Sequence, residues 1–168
     1  MKTYQVITLR RLVSEIHAEL KKLNELFLEW EGHRFKEWTD TIFLRGKASL
    51  FHDFYCGAEN IFQRIAPELN GGLPEGPAWR KRLLHHMQLE IAEVRPPVIS
   101  AETLALLGEF LDFRHKSRHM YGFDLDFKKL DGLERIYPDA HQKFGEDIDR
   151  FVAFLEGLIT AIEKREGS

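Results

Sequence analysis

From Leu9 onward the apolar positions run Leu9, Val13, Ile16, Leu20, Leu23, Phe27 and Trp30, in alternating steps of four and three, with charged residues in most of the places between. That spacing paints one side of a helix apolar, so it predicts a long amphipathic helix against one or two partners, with Gly32 as its stop. The same period suits an isolated coiled coil. Later segments repeat the stripe, however, which favours a bundle of several helices.

Thr39 and Asp40 carry N-cap chemistry for a second helix, whose stripe is Phe51, Phe54, Ala58, Ile61 and Ile65. Gly46 and Gly57 weaken it, and Pro67 is expected to end it because the residue before a proline is driven out of the helical region. The loop LNGGLPEGP follows. Its glycines lack the order of a phosphate-cradling loop and no strand precedes them. Pro77 suits the first position of a third helix with a buried face of Trp79, Leu83, Met87, Ile91 and Val94, closed by Pro96 and Pro97. Ser100 reads as the N-cap of a fourth, with Glu102 in its first turn and Gly122 placed to end it. Asp124 or Asp126 starts the next segment, with Phe127, Leu130 and Leu133 apolar before a break at Tyr137 and Pro138. A last helix is striped Phe144, Ile148, Phe151, Leu155, Leu158 and Ile162. No stretch alternates strictly between apolar and polar. The expectation is an all-α, up-and-down bundle of about five helices, with residues 1–168 forming one domain.

At 168 residues the chain is long enough to bury a core without disulfides or structural metal, and its one cysteine, Cys56, sits in an apolar helical stretch as a small hydrophobe. The N-terminus has no apolar run fit for a signal peptide, and no segment approaches the ~20 apolar residues of a membrane span. A cytoplasmic protein with no membrane association is expected. Net charge is −3, so any contact with nucleic acid must come from local patches. Two exist: Trp79, Arg80, Lys81 and Arg82 followed by His85 and His86, and the stretch from Arg114 to His119. The first reads as a solvated helix face. The second interrupts an apolar stripe.

That stripe is Leu104, Leu107 and Leu111, and its continuation lands on Arg114, His115 and Arg118. A surface that should sink into a core turns cationic, and unpaired buried charge is costly. Either these side chains end in a cleft, or the helix end is solvated and basic, as its macrodipole favours. The order Arg114, four residues, His119, one residue, Tyr121, followed by YGFDLDF, resembles the R-x4-H-x-Y motif of HepT-like proteins, the toxin branch of the HEPN superfamily of small all-helical ribonucleases.

In a straight helix Arg114 and His119 lie about 140° apart and cannot share a face. Either the helix loosens before Gly122, or two chains bring their motifs across one cleft; the resemblance implies the second, a homodimer with a composite site. Cleavage of RNA without metal or cofactor requires a proton taken from the 2′-hydroxyl, a proton given to the 5′-oxygen and stabilised charge on phosphorus. Histidine exchanges protons near neutral pH, and arginine offers fixed planar donors to a phosphate. His119 is therefore assigned to proton transfer and Arg114 to phosphate stabilisation, with His115, Lys116 and Arg118 as RNA-phosphate contacts. A 2′,3′-cyclic phosphate is the expected product. By position alone Tyr121 packs on the last turn; by resemblance it is the tyrosine on which a partner nucleotidyltransferase antitoxin of the minimal (MNT) type places AMP. His115 and His119 have the spacing of two zinc ligands but lack a third. The alternative to the endoribonuclease toxin is a non-catalytic HEPN partner or substrate-binding subunit of a nucleotidyltransferase. A bundle with no site would explain the stripes but not the basic turn. The chain departs from the family pattern in having His115 directly after the arginine, where a short polar residue is common, and in its long first helix.

Overall fold

A computed structural model of the chain describes residues 3–34, 40–118 and 124–167, and among these all regular structure is helical apart from one isolated bridge between Ile91 and Arg95. Five helices follow one another: α1 (Tyr4–His33), α2 (Thr41–Leu69), α3 (Trp79–Gln88), α4 (Ala101–Ser117) and α5 (Phe127–Glu166). The protein is an all-α helical bundle. α2 is its hub, packing against each of the other four helices, while α5 also lies along α1 and α4, and α3 along α4. No helix among the described residues is long and apolar enough to cross a membrane.

The helix starts obey local chemistry. Asp40 accepts from the backbone N–H of Ile42, Ser100 from that of Thr103, and Asp126 from those of Lys128 and Lys129, each satisfying donors that a helix leaves open in its first turn. The five apolar positions expected for the second helix are all buried. In α1 the buried line is Val6, Leu9, Leu12, Ile16, Leu23 and Trp30, with Val13, Leu20 and Phe27 only partly covered, so the face is rotated toward Leu12.

The ends depart from expectation in three places. Pro67 does not stop α2, which continues to Leu69. The ring removes only the N–H that would have reached the Gln63 carbonyl, and the Ala66 carbonyl accepts from Asn70 and Gly72 just beyond. The chain then reverses at Gly71, whose φ of +78° suits a residue without a Cβ. α3 stops at Gln88 rather than at Pro96, so Ile91 and Val94 are not on its buried face, and Val94 is exposed. The cause is Arg95, which folds back beneath the helix end and donates to the carbonyls of His86, Leu89 and Pro96 and to Oδ1 of Asn70. The bonds to His86 and Leu89 take up carbonyls that a continuing helix would have used.

The third departure is at Tyr137 and Pro138, where no break occurs and α5 runs unbroken for 40 residues. A proline inside a helix costs about 3 kcal/mol. The turn is held by its neighbours. Tyr137 is fully buried, with ring centroids 5.0–5.4 Å from those of Phe27, Trp30, Phe51 and Phe54. One turn earlier Glu134 accepts from Nζ of the buried Lys47 and from Nε1 of Trp30. Aromatic contacts and a helix-to-helix ion pair thus fix the turn of backbone that leads into Pro138.

Candidate functional site

On α4, Leu107, Phe110 and Leu111 are buried, and the Phe110 ring meets Phe54 and Phe51 of α2 edge-on, at 5.0 and 5.8 Å between centroids. This face of α4 therefore looks into α2. Arg114 lies one turn beyond Phe110 on the same face and continues it. Its side chain is half-buried, and both Nε and Nη1 are shielded from solvent with no hydrogen-bond partner among the described residues. Of the side chains in the basic turn, Arg114 is the one turned inward. The solvated end holds for His115, Lys116 and Arg118, all exposed.

What Arg114 faces comes from two other helices. Tyr55 of α2 is fully buried, and its hydroxyl lies toward Glu59 without a hydrogen bond of ordinary geometry among the described residues. Burial pushes that hydroxyl far above the ordinary tyrosine range and the charge of Glu59 pushes it further, while the guanidinium groups of Arg114 and Arg80 pull the other way. One turn along α2, Glu59 is a buried carboxylate. Its Oε1 accepts from Nε of Arg80 on α3 at 3.1 Å and from Gln63 at 3.3 Å, and its Oε2 is buried without a partner. The Cζ of Arg80 lies 4.3 Å from the Trp79 ring centre. Four buried polar atoms without a hydrogen bond of ordinary geometry, the Tyr55 hydroxyl, Oε2 of Glu59 and Nε and Nη1 of Arg114, thus belong to side chains within electrostatic reach of Tyr55. Two guanidinium groups stand there against one carboxylate, which leaves the corner net positive.

Buried polar atoms are nearly always paired, and each that is not requires a reason. Nε and Nη1 of Arg114 are of that kind, shielded from water and without a partner among the described residues. Tyr55 and Glu59 were not among the residues the sequence singled out. A signal existed: Phe51, Tyr55, Ala58 and Phe62 make a stripe at helical spacing, and Glu59 falls beside it where an apolar residue would be expected.

α4 ends at Ser117 with Arg118 as its C-cap, so it stops before the motif histidine. His119, Tyr121 and the proposed stop Gly122 lie outside the described residues. On the outer side of α4, a groove of about 350 Å³ toward α3 is lined in part by Leu84, His85, Leu104, Gly108 and His115. It brings a histidine of each basic stretch onto one surface. No group of three His, Cys, Asp or Glu side chains among the described residues is placed to hold a metal ion.

No curated protein and no solved structure matches the chain. A family model described as HepT-like protein matches residues 47–155, well over half of the chain. The matched segment holds all of α3 and α4 together with Tyr55, Glu59 and Arg114. An all-α bundle of five helices, and a family match that spans α3, α4 and the half-buried Arg114, lead to one conclusion: the chain belongs to the HepT-like family of the HEPN superfamily.

Proposed function

We propose that this protein is the toxin of a HEPN/MNT toxin–antitoxin pair, a cytoplasmic, single-domain endoribonuclease that acts as a homodimer without metal. The observation that carries the reading is the half-buried Arg114 guanidinium, whose Nε and Nη1 have no partner among the described residues. A permanently charged planar donor set, desolvated in advance, binds a phosphate more strongly than the same group in water.

In the proposed reaction the 2′-hydroxyl of one nucleotide loses its proton to an imidazole and its oxygen attacks the adjacent phosphorus. The bond to the 5′-oxygen breaks as that oxygen takes a proton from an acid. The products are a 2′,3′-cyclic phosphate and a free 5′-hydroxyl. His119 moves the protons, one copy from each protomer supplying base and acid, and Arg114 binds the phosphate oxygens as charge grows on them. His115, Lys116 and Arg118, exposed at the end of α4, contact the RNA backbone. AMP placed on Tyr121 by the nucleotidyltransferase partner adds negative charge and bulk two residues from His119, which repels incoming RNA phosphates.

Wild-type protein, Arg114→Ala and His119→Ala are incubated with RNA in EDTA. Loss of RNA with wild type alone, leaving cyclic phosphate ends, is the expected result. Equal loss with all three, or none with wild type, removes the nuclease assignment and leaves the non-catalytic partner subunit. Cleavage that EDTA abolishes removes the metal-independent mechanism. Mass spectrometry of Tyr121 after co-expression with a nucleotidyltransferase encoded beside it tests the regulatory step, and an unmodified tyrosine there rejects it.

A further inference from the structure

The basic run that begins at Trp79 has no part in the proposed cleavage chemistry, yet the fold carries one of its members, Arg80, onto the buried Glu59 of α2. Arg80 reaches from α3 to Glu59 on α2, and its hydrogen bonding to the described residues is through Nε alone. The Trp79 ring lies against the same guanidinium. Held by a carboxylate and an aromatic ring, Arg80 keeps both η nitrogens uncommitted, and its side chain is 24% exposed. An exposed ion pair of this kind ordinarily adds little stability and wanders. This one differs because its acid is almost wholly buried. That carboxylate also faces Tyr55, on whose hydroxyl the charges of both Arg80 and Arg114 act. The two guanidinium groups, both half-buried, therefore stand at one corner of α2, α3 and α4, Arg80 bonded to Glu59 and both within electrostatic reach of Tyr55.

We propose that Arg80 is a second phosphate-binding guanidinium of the site, held by Glu59 and Trp79 so that it and Arg114 engage the backbone of the same RNA strand. Glu59 and Tyr55 act through the arginines and are positioning residues. The inference deepens the ribonuclease reading and rests on it for the identity of the ligand. Arginine suits the task because its planar donor set can bond Glu59 along one edge and a phosphate along another, which a lysine ammonium does not reproduce.

The test uses His119→Ala protein, so that RNA survives, and a fluorescein-labelled single-stranded RNA whose binding is followed by anisotropy across a KCl series. Adding Arg80→Gln should reduce the slope of log affinity against log salt by about 0.7, the contribution of one phosphate contact on a single strand, while Arg80→Lys, which keeps the charge but cannot bond Glu59 and a phosphate along two edges, should retain the slope only in part. In cleavage-competent protein, Arg80→Gln should raise KM more than it lowers kcat. Thermal melts confirm folding, and Arg80→Met, which keeps the stem over Trp79, replaces Arg80→Gln if the latter loosens α3. A folded variant with unchanged slope and unchanged KM overturns the proposal and leaves the nuclease reading intact. The slope change without any cleavage by wild type keeps Arg80 as an RNA contact and removes the nuclease reading instead. A parent protein that binds no RNA removes both.

Discussion

The Thr103 hydroxyl, in the first turn of α4, donates to Oδ2 of Asp147 on α5 at 2.6 Å. The same oxygen accepts from the backbone N–H of Ser100 at 2.8 Å, and Arg150 bonds the other carboxylate oxygen. A buried acid is thereby paired with the open donors and positive dipole end of the helix that carries Arg114.

Asp147→Ala should accordingly destabilise the protein by about 2–4 kcal/mol, because charge-assisted bonds are lost and buried donors at the start of α4 are left unpaired. Urea unfolding measures it. A loss under about 1 kcal/mol, within the range of an exposed pair, contradicts the role given to this acid.

Two glycines should respond in opposite directions. Gly57 is buried where α2 crosses α1, and a Cβ built there would run into the Leu23 side chain. Gly57→Ala is expected to cost about 1–3 kcal/mol through overpacking. At the exposed Gly157 of α5 a Cβ meets nothing. Gly157→Ala should stabilise by about 0.4–1 kcal/mol through reduced freedom of the unfolded chain. If thermal melts find the two changes equal in sign, the close approach of α1 and α2 is wrong.

The His141 ring stacks on Phe27 at 4.2 Å between centroids, and its Nε2 is 3.0 Å from Oδ1 of Asn24. Burial lowers the pKa of this histidine below its ordinary 6.5. The unfolded chain therefore binds the proton more readily than the folded one. The stability due to the neutral ring is fully present above pH ~6.5 and is lost as pH falls through the folded pKa. Wild type should lose Tm more steeply than His141→Gln between pH 7.5 and 5.5; parallel profiles would refute the assignment.

Arg114→Met should abolish RNA cleavage without destabilising the fold, and should stabilise it by up to about 1 kcal/mol. The methionine keeps much of the stem and relieves two buried donors of their missing partners. Calorimetry decides the matter. A drop of several degrees in Tm would identify Arg114 as a structural cation and deprive the site of its anion-binding group.

Much of the fold was legible because it depends on neighbours in sequence. Side chains three and four apart share a face in any helix, so the stripe from Phe51 to Ile65 announced its burial, and Ser100, Asp40 and Asp126 announced helix starts through bonds spanning two or three residues. The basic turn was likewise visible as an interrupted stripe, although which of its side chains turned inward was not. Arg114 shares the face of Phe110, and only the packing of that face on α2 separates it from its exposed neighbours.

The sequence by itself determined the class of fold, most of the helix starts, the core stripes and the motif that resembles the family. Tertiary structure decided the rest, wherever a distant residue outweighed a local rule. Arg95 ended α3 before its prolines, and Tyr137 with the Lys47–Glu134 pair carried α5 through Pro138. The meeting of Tyr55, Glu59, Arg80 and Arg114 is of the same kind. Periodicity reports which side of a helix is buried; which helix covers it, and so which charges share a pocket, depends on contacts between residues far apart in the chain.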